Sequence, residues 1–167
     1  MSDKIYNVLI LCTGNSARSI MAEALFNTLG KGRFRAYSAG SKPTGKVNPF
    51  AIEQIEKMNY PLDTLRSKSW DEFAALDAPK MDFVITVCDN AAGEVCPVWP
   101  GEPVTAHWGF DDPAAVEGTD AQKRRAFQRT FLFIMNRVRI FSELPLADFD
   151  KLAIKREMDR IGQLEVE

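Results

Sequence analysis

The chain has 167 residues, 46% hydrophobic and 26% charged, with 21 Lys and Arg against 23 Asp and Glu for a formal charge of −2. That length predicts one domain, able to bury roughly two thirds of its unfolded surface without a disulfide or metal staple. The composition excludes a disordered, collagen-like or coiled-coil chain, and the charge balance argues against a general binder of nucleic acid or acidic lipid. Three cysteines, Cys12, Cys88 and Cys96, fit no secreted disulfide framework. The first apolar run is too short for a signal-peptide core or a membrane span. The expectation is a cytoplasmic protein whose cysteines are thiols.

In chain order, Val8 to Leu11 is a continuous apolar run that predicts a buried parallel strand. Ser19 to Leu29 has helical spacing and stops at Gly30, and Arg35 to Ala39 is a short strand closed by Gly40. Pro49 to Met58 is an amphipathic helix with Pro49 in its first turn. Asp82 to Val87 is a second buried strand, and Pro103 to Trp108 a shorter one. Thr119 to Phe141 is a long helix with Phe127, Phe131, Ile134, Val138 and Phe141 on one stripe. Pro145 breaks it, and Asp148 to Ile161 forms a last helix carrying Leu152 and Ile161. This alternation predicts an α/β sandwich with a mostly parallel sheet over residues 1–144, and a helical extension over 145–167 packed on the same domain. Ligands of such sheets sit at the carboxyl ends of the strands. Cys12 and Cys88 directly follow the two most apolar strands, which places them at that same end.

The strongest motif is Cys12-Thr13-Gly14-Asn15-Ser16-Ala17-Arg18-Ser19, between a strand and a helix. Such a loop turns successive backbone N–H groups inward as an anion cradle, and the helix N-terminus adds its positive dipole end. Gly14 removes bulk at the turn, and Asn15 tolerates left-handed backbone. The Arg18 fork suits two oxygens of a tetrahedral oxyanion. Cys12 then sits in converging positive potential, which predicts a lowered thiol pKa, and Ser19 is placed to bond its sulfur. Departure of an oxygen from an adduct on Cys12 calls for a proton. Asp112, immediately before Pro113, is the first choice to supply it and Asp111 the second, although Asp-Asp-Pro also makes turns and helix caps.

Other features have structural readings. The basic residues Lys123, Arg124, Arg125, Arg129, Arg137 and Arg139 suggest a solvated helix face or a docking surface. Trp99 and Trp108 suit core packing or the lining of the site. Cys88, Cys96 and His107 lack the spacing of a zinc site, and no metal is expected.

Cys12 to Ser19 followed by Met21-Ala22-Glu23, Tyr37-Ser38-Ala39-Gly40, and Asp111-Asp112-Pro113 resemble the low-molecular-weight protein tyrosine phosphatase superfamily. Val84-Ile85-Thr86-Val87-Cys88 through Cys96-Pro97, then His107-Trp108-Gly109-Phe110-Asp111-Asp112-Pro113-Ala114, resemble its arsenate reductase branch. The likeness runs from about Ile5 to about Phe141. It implies a four-stranded parallel sheet flanked by helices, with Cys12 as nucleophile, Arg18 as oxyanion binder and Asp112 as general acid. It further implies Cys88 and Cys96 as redox partners, arsenate as substrate with phosphate as its analogue, and thioredoxin or a glutaredoxin/glutathione system as external reductant. No tightly bound cofactor is expected, and the chain is expected to act as a monomer.

Three departures stand out. Ala17 occupies a place where the phosphatases often carry a second cysteine. Seven residues separate Cys88 from Cys96, one more than in the best-known thioredoxin-linked reductases. Asn15, Glu23 and Ser38 match three of the positions through which those enzymes hold potassium, but the Asp position falls on Ser69.

The distal thiols separate two enzymes. A phosphocysteine meets water, whereas arsenic(V) accepts two electrons when a second thiol attacks the sulfur of Cys12. A lone cysteine after a strand is also commonly a small buried hydrophobe. Asn90 to Val95, a small-residue segment between Cys88 and Cys96, is expected to be the mobile part of the relay.

Overall fold

The computed structural model describes residues 4–88 and 99–164. The elements run β1 (Tyr6–Leu11), α1 (Arg18–Leu29), β2 (Phe34–Ala39), α2 (Pro49–Glu56), β3 (Phe83–Thr86), β4 (Val104–His107), α3 (Asp120–Ser142) and α4 (Lys151–Gly162). All strand pairs are parallel and the order is β2-β1-β3-β4. Chain direction across the sheet reverses at β1, whose neighbours are β2 on one side and β3 on the other. A crevice forms at the carboxyl ends where order reverses in this way.

Alternation along β1 divides the core. Val8 and Ile10 face a cluster with α1, α3 and α4, while Leu9 and Leu11 face Phe73, Met81, Val84 and Trp99. All four β1 residues have no exposed surface, which is why the sequence reads as an unbroken apolar run. On the first face Phe26 stacks on Trp108 at 6.1 Å, and Phe141 meets Phe83 edge-on at 5.3 Å. On the second, Trp70 meets Trp99 edge-on at 6.1 Å. Trp99 and Trp108 are therefore core residues, 7% and 1% exposed.

Helix starts follow their caps. Asn48 accepts from the Phe50 N–H, Thr119 and Gln122 form a reciprocal capping box, and Asp150 accepts from the Ala153 N–H. The last helix thus begins at Lys151 rather than Asp148, after a short 3-10 turn over Leu146–Asp148. Leu152 points to solvent at 58% exposure, and Ile154, Met158 and Ile161 form the buried stripe. α2 ends at Glu56, ahead of the predicted Met58, and Asn59 turns the chain with a left-handed φ of 59°.

α4 packs on β4 and α3. The Trp108 indole donates to the Met158 carbonyl at 2.9 Å, and Lys155 Nζ donates to the Thr105 carbonyl at 2.5 Å. Arg137, expected on a solvated basic face, is instead 2% exposed. Its guanidinium donates to the Leu164 carbonyl at 2.6 Å and lies 4.9 Å above the Phe110 ring. Among the described residues no helix is long and apolar enough to cross a membrane. Cys96 and the Asn90 to Val95 segment lie outside the described residues.

Candidate active site

The loop after β1 is held from outside by its carbonyls. Thr13 O accepts from Lys42 N at 3.0 Å, Gly14 O from Thr44 N at 3.0 Å and Ser67 Oγ at 3.1 Å, and Ser16 O from Asn48 N at 2.9 Å. In a trans peptide the N–H points opposite to the C=O. The following N–H groups, of Gly14, Asn15 and Ala17, are thereby turned to the inner side. The Gly14 N–H bonds the Cys12 sulfur. Asn15 adopts φ 44°, the left-handed conformation the sequence suggested.

The cradle rests on Gly40 at the end of β2. Its N–H donates to Lys68 O at 2.9 Å and its carbonyl accepts from Trp70 N at 2.9 Å. A Cβ at Gly40 would lie 2.5 Å from Cys12 O and nearer still to Thr13 O. Only glycine lets the strand end approach the loop this closely.

Adjacency of β1 and β3 brings two cysteines together. Leu11 pairs with Thr86, so Cys12 and Cys88 leave neighbouring strands at the same end. They are 6% and 3% exposed, and both are thiols. The Cys12 S–H donates to the Cys88 sulfur. Cys88 Sγ also accepts from the Thr13 N–H at 3.4 Å and lies 3.7 Å from the Thr13 hydroxyl.

This pairing reverses the expectation of a lowered Cys12 pKa. The hydrogen bond to Cys88 stabilises the protonated thiol, and burial penalises the thiolate, so the pKa is raised. Arg18 and the Gly14 N–H oppose the shift without overcoming it. The sequence could not show that the second thiol is itself a partner of the first. Ser19, predicted to bond that sulfur, accepts instead from Asn15 Nδ2 at 2.8 Å.

Arg18 opens α1 and bridges to the acid loop. Its Nη1 donates to Phe110 O at 2.8 Å, and its Nη2 stands 3.8 Å from Asp112 Oδ2. Asp112 also accepts from the Ala114 N–H through Oδ1 at 2.9 Å. The cap reading of Asp112 is thus met through Oδ1, and Oδ2 is left facing Arg18. A cleft of about 550 Å³ opens beside this loop, lined by Asp111, Asp112, Pro113, Arg125, Arg129 and Phe133 among others.

Several supporting residues were not foreseen. Phe110 contributes through a carbonyl, which sequence does not distinguish. Ser67 and Lys68 lie 53 residues from the loop atoms they bond, beyond any local pattern. Among the described residues there is no group of three or more His, Cys, Asp or Glu able to hold a metal. His107, weighed as a zinc ligand, pairs its Nδ1 with the Thr86 hydroxyl at 2.7 Å.

Comparison with known proteins agrees with this geometry. The family model described as low molecular weight phosphotyrosine protein phosphatase matches residues 7–151. An arsenate reductase of Halalkalibacterium halodurans is 38% identical over 136 residues, 81% of this chain and 94% of that protein. An arsenate reductase of Bacillus subtilis is 37% identical over 143 residues, 86% and 98% of the two chains. The crystal structure of an arsenate reductase from Archaeoglobus fulgidus superposes with a TM-score of 0.64 at 28% identity, covering 82% of this chain and 99% of that one. With a family match across most of its length and a cysteine-arginine loop at the switch point of a four-stranded parallel sheet, this chain belongs to the low-molecular-weight phosphotyrosine protein phosphatase family.

Proposed function

We propose that this chain is an arsenate reductase that works through a cysteine thiol relay. The observation that carries the reading is the seat of Cys88 against the Cys12 loop, its sulfur accepting from the Thr13 N–H at 3.4 Å and hydrogen-bonded with the Cys12 thiol. A phosphocysteine needs only water, and hydrolysis has no use for a second thiol at that place.

Arsenate is held in the loop of residues 13–19 by the inward N–H groups of Gly14, Asn15 and Ala17 and by Arg18. Cys12 sulfur attacks arsenic, the S–As bond forms, and one As–O bond breaks with Asp112 protonating the departing oxygen as water. Cys88 then attacks the Cys12 sulfur. An S–S bond forms, the S–As bond breaks with its electron pair passing to arsenic, and arsenite leaves. Cys96 attacks Cys88, frees Cys12 and forms the Cys88–Cys96 disulfide, which an external thiol reductant of the thioredoxin or glutaredoxin/glutathione type reduces. The relay calls on Cys12, Cys88, Arg18 and Asp112 of one protomer and needs no second copy, and its thiols must be kept reduced, as in a reducing cytoplasm. The hydrogen bond to Cys88 keeps the Cys12 proton in place in the resting site. An oxygen of the arsenate takes that proton as the S–As bond forms, which activates Cys12 and leaves Cys88 a thiol for the second step.

The test is Cys88→Ser with arsenate under full reducing power. The expected result is loss of steady arsenite production with Cys12-dependent hydrolysis of an aryl phosphate retained. Steady arsenite release by this variant refutes the relay. The alternative reading, a tyrosine phosphatase, needs the same Cys12, Arg18 and Asp112, all of which the site brings together. It is favoured if the wild type hydrolyses aryl phosphates robustly but does not turn over arsenate.

A further inference from the structure

Beneath the loop lies a closed polar cluster that the relay does not use. Asn15, Ser19 and Ser38 have no exposed surface, and Glu23 and Lys68 are each 8% exposed. Asn15 Nδ2 donates to Ser19 Oγ at 2.8 Å and to Ser38 Oγ at 3.0 Å, and Ser38 donates to Glu23 Oε1 at 2.6 Å. Lys68 enters this cluster twice. Its backbone N–H donates to Asn15 Oδ1 at 2.9 Å, and its ammonium stands 3.8 Å from Glu23 Oε1 while donating to Arg66 O at 2.8 Å.

The resemblance to potassium-holding relatives meets this cluster and does not fit it. Ser69, at the position of the fourth ligand, accepts from the Asp71 N–H at 3.1 Å and caps the 3-10 turn over Trp70–Phe73. The ammonium already faces the Glu23 carboxylate. A potassium ion added there would bring a second positive charge against one negative charge in a buried space, which burial makes unfavourable.

We propose that the Lys68 ammonium is a built-in cation that replaces a bound monovalent metal ion and acts as a positioning residue for the oxyanion loop. Lys68 balances Glu23. Glu23 orients the Ser38 hydroxyl, and Ser38 and the Lys68 N–H together fix both ends of the Asn15 amide. That amide holds the left-handed turn on which the inward N–H groups depend. Burial disfavours charge on both Glu23 and Lys68, and each is the other's main charged support. The inference rests on reading the loop as an oxyanion site and not on the redox step.

The experiment compares potassium chloride with choline chloride at equal ionic strength. Its readouts are thermal melting, binding of inorganic phosphate, and kcat/KM for an aryl phosphate. The variants are wild type, Lys68→Ala, Lys68→Arg, and Lys68→Ala with Glu23→Gln. Wild type is expected to behave alike in both salts. Lys68→Ala in choline is expected to melt lower and lose about tenfold in kcat/KM, a barrier of ~1.4 kcal/mol. Potassium, but not choline, is expected to restore part of both melting and phosphate affinity, because truncation opens the ammonium's place. Lys68→Arg is expected to retain more phosphate affinity than Lys68→Ala, and the double variant to melt above Lys68→Ala because no carboxylate is left unpaired. Specific stabilisation of wild type by potassium overturns the proposal. So does Lys68→Ala within twofold of wild type in choline, or a double variant no more stable than the single. If Lys68→Ala does not fold in choline, the wild-type salt comparison and the double variant decide the matter. Melting and phosphate binding need no arsenate turnover, so failure here is distinct from failure of the relay.

Discussion

Gly40→Ala should damage the Cys12 loop without touching the Cys12, Arg18 or Asp112 side chain. Both backbone groups of Gly40 are hydrogen-bonded, to Lys68 and Trp70, so the residue cannot back away. An added Cβ would lie 2.5 Å from Cys12 O and 3.0 Å from the Thr13 carbonyl carbon. Carbon approaches a carbonyl oxygen to ~3.3 Å at best, so relief needs about 0.8 Å of movement. The obstructing atoms are backbone and have no alternative rotamer, so the movement falls on the peptide between Cys12 and Thr13. Overpacking of this kind costs ~1–3 kcal/mol, and the upper part of that range is expected here. A misplacement approaching 1 Å at the reacting atom costs on the order of 10² in rate. Urea unfolding should therefore show a loss of about 2–3 kcal/mol, and aryl phosphate or arsenate turnover should fall about 100-fold in kcat/KM. A variant within about 0.5 kcal/mol of wild type with undiminished turnover would show that the close approach is not what shapes the loop.

Three further outcomes are expected. Asp112→Asn keeps an N-cap of nearly equal strength but removes the acid, so melting should hardly change while kcat falls ~10²–10⁴-fold; a large melting loss with normal kcat would make Asp112 a cap alone. Cys12 has a folded pKa above its ordinary thiol value of ~8.5, so the folded state keeps its proton longer. The associated stability is complete below about pH 8.5 and declines as pH rises further, so the urea midpoint should drop towards pH 10 in wild type and less in Cys12→Ser. In Cys88→Ala, where the largest cause of the upward shift is gone, Cys12 alkylation should begin at lower pH, and an unmoved profile would contradict the thiol pairing. Arg137→Met removes the bond to Leu164 and the cation over Phe110, so amide exchange should quicken both in α4 and in residues 108–113. Faster exchange in α4 alone would mean that the acid loop does not depend on Arg137.

The parts of the fold legible in sequence are those where burial is uniform or a cap is local. β1 and β3 are apolar on both faces and read as strands. Asn48, Thr119 and Asp150 mark helix starts with their own side chains. The loop was legible because strand, Gly14, Asn15, Arg18 and helix occur within a dozen residues. What was not legible depends on tertiary approach. Arg137 has the composition of a solvent-facing residue and is buried because α4 and Phe110 close over it. Sequence predicts a lowered Cys12 pKa because Arg18 and the loop are its neighbours in the chain, whereas the opposing Cys88 thiol arrives from a different strand. Lys68 carries no sequence signal, because its partners Asn15 and Glu23 are brought to it only by the chain between α2 and β3 passing under the loop. Leu152 and Ile161 both looked like core residues of the last helix, but Ile154, Met158 and Ile161 share the stripe that meets β4 and α3.

The packing of α4 on β4 has a consequence for solubility. Val104 N and Trp108 N bond to the carbonyls of Asp82 and Thr86, so in a parallel pairing the alternate residues, Thr105 and His107, turn their backbone groups to the outer rim of the sheet. Lys155 satisfies Thr105 O, and Gly162 packs directly against His107 O, where no larger residue would fit. Unshielded rims of this kind recruit strands from other molecules. Proteolytic loss of the chain after Asp150 would leave that rim open while sparing Cys12, Arg18, Asp112 and Cys88, and self-association would then set the enzyme's useful lifetime before any loss of chemistry did.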